Sequence, residues 1–396
     1  MYRADRGFGQ TFRNFKAFTS SIEAIYLVEA SATLREIQKK LLCGDATAMK
    51  ETDIGHESTS KYFDVPVVWV EDIRLLPQGK LATDWSCVHE GNVLTATGED
   101  KTPFIFAHEF FDALPINAFE SIPPAPENEA PPKKEIMTPT GPTKVHQPLK
   151  TANTPQWREL MVTLNPRAID ENIPDEPEFN LTMAKASNPN SLVIPEISPR
   201  YRALKEKPGS TIEVSTEARI YAADFARRIG GLMQQSPATA RDKQGQQPSQ
   251  TPKKTPSGAA LIMDYGPLST IPSNSLRGIQ QHQNVAPLSS PGQVDVSADV
   301  DFTALAESAI EASEGVEVHG PVEQGDFLRA MGIAERMQQL LRGVQDEEKR
   351  KTLTSAWERL VEKDAAGGGM GKIYKVLSII PENSGRRRPV GFGGSI

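Results

Sequence analysis

Residues Thr102–Pro115 read TPFIFAHEFFDALP. The first six form a short, nearly continuous apolar run, and the run stops on two ionisable side chains, His108 and Glu109. A strand that is apolar on both faces belongs inside a sheet covered above and below, and ligands of such sheets bind beyond the carboxyl ends of the strands. Working outward, the same pattern recurs. Ala24–Val28 (AIYLV) ends on Glu29, Val65–Val70 (VPVVWV) ends on Glu71 and Asp72, and Ala259–Met263 (AALIM) ends on Asp264, Tyr265 and Gly266. Between the first two runs, Leu34, Ile37 and Leu41 repeat at helical spacing, and Thr33 with Glu36 reads as a capping box. Buried strands alternating with helices predict an open, doubly wound α/β sheet.

The rest of the chain divides by composition. Only 38% of the 396 residues are hydrophobic, with 31 prolines and 29 glycines, so part of the chain is expected to lie outside any packed core. Residues 1–120 are read as the start of the catalytic-type core. Residues 121–156 are read as a disordered insertion, since nine of the 35 residues 121–155 are proline. Core elements resume over 157–234, where Trp157–Leu164 (WRELMVTL) is a strand expected to pair back on the sheet and Ile212–Gly231 a strand end followed by an amphipathic helix. Residues 235–257 (QSPATARDKQGQQPSQTPKKTPS) are a low-complexity insertion. Residues 258–380 return to the core, with helices expected over Asp301–Ala312 and Gln324–Leu341 and a late strand over Lys372–Ile380. Residues 381–396, with Arg386–Arg388, are read as a flexible, solvated tail.

Charge and cysteine content narrow the function. A net charge of -7 argues against a general nucleic-acid binder. Two cysteines, Cys43 and Cys87, allow neither a disulfide framework nor a CxxC site, and the histidines lack metal-ligand spacing. No apolar run approaches the roughly 20 residues that span a bilayer. The segment GGGMGK at Gly367–Lys372 is not a phosphate loop: Ala366 stands where the first glycine is needed and Ile373 replaces the Ser or Thr.

Three segments taken together, AHEFFDALP at 107–115, LVEASATLREIQ at 27–38, and DYG at 264–266 with its continuations GQVDVSADVDF at 292–302 and GPVEQGDFLRAMG at 320–332, resemble the MidA-like family of mitochondrial protein arginine methyltransferases, which assist assembly of respiratory complex I. The resemblance implies a class I methyltransferase-like (Rossmann-like) fold and S-adenosyl-L-methionine as cofactor. It implies a complex I subunit as protein substrate and the mitochondrial matrix as the location. It assigns Glu29 to the ribose hydroxyls, where a carboxylate accepts two hydrogen bonds at once; the plainer reading is an exposed acid after a strand. Asp72 is placed against the adenine or ribose edge, with Glu71 competing. Glu109 is the candidate that grips and orients the substrate guanidinium, with Asp112 as its understudy. His108 is either a proton relay or a histidine packed at a strand end. Phe110 and Phe111 are pocket walls or plain core. Asp264, Tyr265 and His282, followed by Asp299 and Asp301, are expected on the substrate side, although DYG also reads as a strand-to-turn junction with Gly266 at positive φ.

The family's fold opens with a strand and a glycine-rich loop. Here Gly7 and Gly9 in DRGFGQT occupy the loop's approximate place, and MYRAD before them supplies no strand. The N-terminal stretch also passes for a weak transit peptide, but a truncated or mis-started chain lacking its first strand is the expectation. Weak cofactor binding and poor solubility follow from it. The alternative is a non-catalytic complex I assembly protein that keeps the substrate surface.

Overall fold

Val67, Val68, Trp69 and Val70 are each at most 2% exposed, as the apolar run VPVVWV requires of an interior strand. The computed structural model describes residues 19–62, 64–76, 101–124, 135–138, 141–144, 154–169, 177–231, 255–281, 283–364 and 368–393. The expectations for Gly7, Gly9, Cys87 and His282, for nearly all of 235–257 and for most of 125–153 fall outside these residues. The chain forms two compact units, residues 1–99 and 100–396. The break expected at 120/121 instead lies inside a strand, Asn117–Ile122.

In the first unit, β1 (Ile25–Val28), β2 (Lys50–Thr52), β3 (Gly55–Thr59) and β4 (Pro66–Val70) form one sheet in the order β1-β4-β3-β2. β1 runs parallel to β4 with Leu27 opposite Trp69, while β3 is antiparallel to β4. Helix α1 (Ala32–Leu42) begins at Ser31, whose hydroxyl accepts the Leu34 N–H at 3.3 Å. The cap therefore precedes the Thr33–Glu36 box that the sequence suggested, because the chain turns into the helix directly after Glu29. Cys43, Val67 and Trp69 make the unit's core, with Ile25, Leu27, Leu42 and Met49 packed around them.

The second unit holds β5 (Phe104–His108), β6 (Asn117–Ile122), the hairpin β7 (Glu135–Thr138) and β8 (Gly141–Lys144), β9 (Gln156–Leu164), β10 (Phe179–Met183), β11 (Thr211–Val214), β12 (Ala259–Tyr265), β13 (Arg277–Gln280), β14 (Gln283–Val285), β15 (Asp295–Ser297), β16 (Val316–Glu323) and β17 (Tyr374–Pro381). Its main sheet has the order β16-β17-β12-β5. β5 and β12 are parallel, with Met263 opposite His108, whereas β17 runs antiparallel to both β12 and β16. Ile262, Val376, Leu377 and Ile379 are fully buried in it.

Trp157–Leu164 does not rejoin that sheet. It forms β9 in a separate antiparallel sheet, β10-β9-β6-β11, because Trp157 has its own core to enter, made with Phe119, Tyr201, Ile212 and Val214. The short helices α2 (Pro189–Val193) and α3 (Pro199–Lys205) lie in the Asn/Pro/Ser-rich stretch before β11. Helices α4 (Thr216–Gly230) and α5 (Phe302–Ala312) pack against each other, burying Ala222, Ala226, Ile229, Leu305 and Ala309. The helix expected over 324–341 is two, α6 (Gln324–Ala330) and α7 (Ile333–Arg342), separated at Gly332, whose φ of 78° no helix continues through. Helix α8 (Glu347–Val361) follows. The expected flexible tail is packed at least to Phe392, which is 8% exposed and clusters with Phe327 and Val376. Among the described residues no helix is long and apolar enough to cross a membrane.

Candidate active site

The chain leaves β5 in a sharp turn. Glu109 still donates its N–H to the Met263 carbonyl at 3.1 Å, then takes a left-handed backbone conformation, φ 49°. Such a conformation is uncommon for a residue with a Cβ and persists only where its surroundings hold it. Asp264 holds it. Its Oδ2 accepts the N–H groups of Phe111 at 2.8 Å, Phe110 at 3.1 Å and Asp112 at 3.4 Å, and its Oδ1 accepts the Tyr265 N–H at 2.9 Å. Asp264 is fully buried beneath the turn. Burial and the neighbouring Asp112 push its carboxyl up to about 7 against the pull of these N–H donors. Asp112 is 8% exposed. Burial pushes it up to about 6, with Arg277 pulling it down and Glu109 and Asp295 adding to the rise.

Glu109 itself is exposed, and its orientation comes from across the sheet. Tyr374, the first residue of β17, lies directly opposite Tyr265. Its hydroxyl donates to Glu109 Oε1 and is hydrogen-bonded to the Tyr265 hydroxyl. The two rings are 4.1 Å apart. Burial together with the Glu109 and Tyr265 contacts pushes the Tyr374 phenol far up, so it stays a hydrogen-bond donor. His108 stacks on Tyr374 with ring centroids 6.1 Å apart and planes 12° apart. Arg277 lies over the Tyr265 ring at 4.9 Å and pairs with Asp299 at 2.6 Å. Glu109, Asp112, Tyr265, Tyr374, Arg277 and Asp299 are thus assembled at the carboxyl ends of two parallel strands.

Tyr374 and Arg277 were not singled out in the sequence. KIYKVLSII reads as a strand, but only antiparallel pairing with β12 puts its first tyrosine beside DYG. Arg277 is a lone arginine in the irregular run after DYG. Phe111, 2% exposed, meets Phe225 edge-on, and Phe110 meets Tyr221 likewise, so these rings serve as packing. Asp301 caps α5 through the Ala304 N–H and accepts from Arg200 and Tyr201, both at 2.9 Å; it belongs to the helix start. Gly266 is required by close approach, since a Cβ there would lie 2.4 Å from the Val300 carbonyl oxygen.

In the first unit Glu29 ends β1 half-buried. Its Oε1 accepts the Ser31 N–H at 3.0 Å and its Oε2 the Gln38 amide at 3.1 Å, and Gln38 is in turn fixed by the Trp69 indole N–H at 2.9 Å. Each oxygen keeps further lone pairs, so the held carboxylate fits a vicinal diol such as a ribose. Asp72 is more fully engaged. It caps the short turn Ile73–Leu75 and binds Arg74 through both oxygens, which holds its carboxyl below the usual range. Glu71 pairs with Arg35 at 3.1 Å.

Known proteins resemble this chain along most of its length. The mitochondrial protein arginine methyltransferase NDUFAF7 of Xenopus tropicalis is 26% identical over 378 residues, covering 94% of this chain and 64% of that protein. Its counterpart in Homo sapiens is 24% identical over 361 residues, covering 90% and 59%. The chain thus spans about 60% of the length of these relatives. A solved protein of Burkholderia thailandensis with S-adenosyl-homocysteine bound shares the fold, with a TM-score of 0.52 at 16% identity over 95% of this chain and 66% of that one. A family model described as "Putative S-adenosyl-L-methionine-dependent methyltransferase" matches residues 10–322. With most of its length inside that match and an α/β sheet carrying acids at its strand ends, the chain belongs to this methyltransferase family.

Proposed function

We propose that the protein transfers the methyl group of S-adenosyl-L-methionine to a guanidinium nitrogen of an arginine in a protein, and that the acceptor is a respiratory complex I subunit in the mitochondrial matrix. The relatives' names and the resemblance of the three segments support the acceptor class and the location. The observation that carries the chemistry is Glu109, an exposed carboxylate held at a strand end by the Tyr374 hydroxyl.

An arginine side chain is cationic at any physiological pH and a poor nucleophile. A carboxylate binds it in a two-pronged hydrogen-bonded fork and fixes one nitrogen in line for attack. Tyr374 holds Glu109 for that task, and Asp264 holds the turn from which Glu109 projects. The bound cofactor supplies an electrophilic methyl on a sulfonium, and Glu29 is the residue here that suits its ribose. With the cofactor bound, formation of the N–C bond would break the methyl's bond to sulfur and leave a neutral thioether, and one guanidinium proton would pass to Glu109, with His108 exposed beside it to pass the proton on.

The test is methylation of an arginine peptide by the full chain with isotopically labelled cofactor. Label is expected on arginine, with Glu109→Gln lowering the rate about a hundredfold or more while cofactor affinity holds. Label on lysine, or a Glu109→Gln protein as active as its parent, would sink the reading.

A further inference from the structure

A guanidinium already sits among the acids at the ends of β5 and β12, that of Arg277. β13 delivers it. Arg277 opens that strand opposite Ser297 of β15, and the strand is anchored from behind by Glu213, which accepts the N–H groups of Ser275 at 3.0 Å and Leu276 at 3.4 Å. From there the guanidinium reaches over the Tyr265 ring, 4.9 Å from its centroid. Nη1 donates to Asp299 at 2.6 Å and to the Ser275 carbonyl at 3.3 Å. An aromatic face flanked by carboxylates is the chemistry that recognises a guanidinium, through cation–π attraction and charge-assisted hydrogen bonds.

The seat is incompletely made. Among the described residues Nη2 is shielded from solvent and has no acceptor, although the side chain as a whole remains 28% exposed. An unpaired buried donor forfeits its hydration without recovering a hydrogen bond. A permanent structural bridge would be expected to use both prongs of the fork. Arg277 uses one, and its stacking partner Tyr265 is the residue tied through Tyr374 to Glu109.

We infer that Arg277 is a built-in stand-in for the acceptor: it occupies the aromatic and acidic seat beside Glu109, and a protein arginine enters by displacing it. The inference rests on the reading of arginine as the methyl acceptor. Its consequence is a lowered apparent affinity for substrate, because only the fraction of molecules with Arg277 withdrawn can bind.

Removing the occupant tests this. The full-length Arg277→Ala and Arg277→Gln proteins and their parent are titrated calorimetrically with acetyl-Gly-Arg-Gly-amide and acetyl-Gly-Lys-Gly-amide, without cofactor. Both variants are expected to bind the arginine peptide at least about tenfold more tightly than the parent, with the lysine peptide changing far less. Equal or weaker arginine-peptide binding by variants that melt cooperatively overturns the inference. Arg277→Lys, which keeps the charge without the planar fork, decides the matter if both other variants unfold: binding between about two- and tenfold tighter supports displacement, and no gain refutes it. Methyl transfer to the same peptide separates the two claims. Tighter binding with no methylated product would leave Arg277 its role and remove the reaction, whereas product from the parent with unchanged binding in the variants would do the reverse. No binding and no product in any folded variant removes both.

Discussion

Asp112 and Asp264 stand in a site that carries more carboxyls than cations, and burial lifts both into the range from about 6 to about 7. Both hold their protons more tightly in the folded chain than in the unfolded one, where an aspartate titrates near 3.9. Folding therefore takes up protons, and the stabilising contribution is complete below about pH 4 and lost as pH rises through about 6 to 7. Urea unfolding between pH 4 and 8 should show stability falling across that window, and Asp112→Asn should flatten the slope; a variant with the parent's slope would show that the carboxyl does not titrate there. Part of this site was legible in the chain itself. Glu109 announces itself because a strand that is apolar throughout ends on it. Asp264 could be placed near the site but not beneath it, since an acid that binds only backbone N–H groups has the same letter in the sequence as one that meets a ligand. Arg277 and Tyr374 were invisible for another reason: their relevance depends on cross-strand register.

The elements were legible where apolar content and pattern agree. β1, β4, β5 and β12 are short apolar runs and formed where such runs stood. β2, β3 and β6 were missed because KET, GHEST and NAFESI mix polar and apolar residues without a clean alternation, and their pairing comes from neighbours distant in the chain. Glycines at contacts between elements are equally silent. At the end of α4, Gly230 meets Gly315 at the start of β16 so closely that a Cβ on Gly315 would lie 2.3 Å from the Gly230 carbonyl oxygen. Backbone cannot yield as a flexible side chain can. Gly315→Ala should destabilise the protein by about 2–3 kcal/mol, seen as a lowered denaturation midpoint with an unchanged denaturant slope. A midpoint matching the parent's would mean that α4 moves aside freely.

At the scale of the molecule, the alternation of strands and helices correctly announced an α/β fold, and the resemblance of three segments announced the methyltransferase family, yet the alternation implied one continuous sheet where the described residues form several. Antiparallel additions such as β16 and β17 have the same composition as parallel core strands, so direction could not be read from them. Among the described residues β5 ends its sheet's order, and Phe104 and Phe106 on it are 60% and 63% exposed. Exposed aromatics on an edge strand favour self-association. The apparent mass by light scattering should rise with protein concentration, and Phe104→Lys should suppress the rise; a parent that stays monomeric across the range would count against it. One further property follows from the Asp264 carboxylate, which gathers N–H groups more than 150 residues earlier in the chain. The Glu109 turn is completed only by a residue far along the chain, so a nascent or partly refolded chain has no working fragment. During refolding, turnover should return together with the last tertiary signal and never ahead of it, which makes the rate assay a timer for completion of the fold.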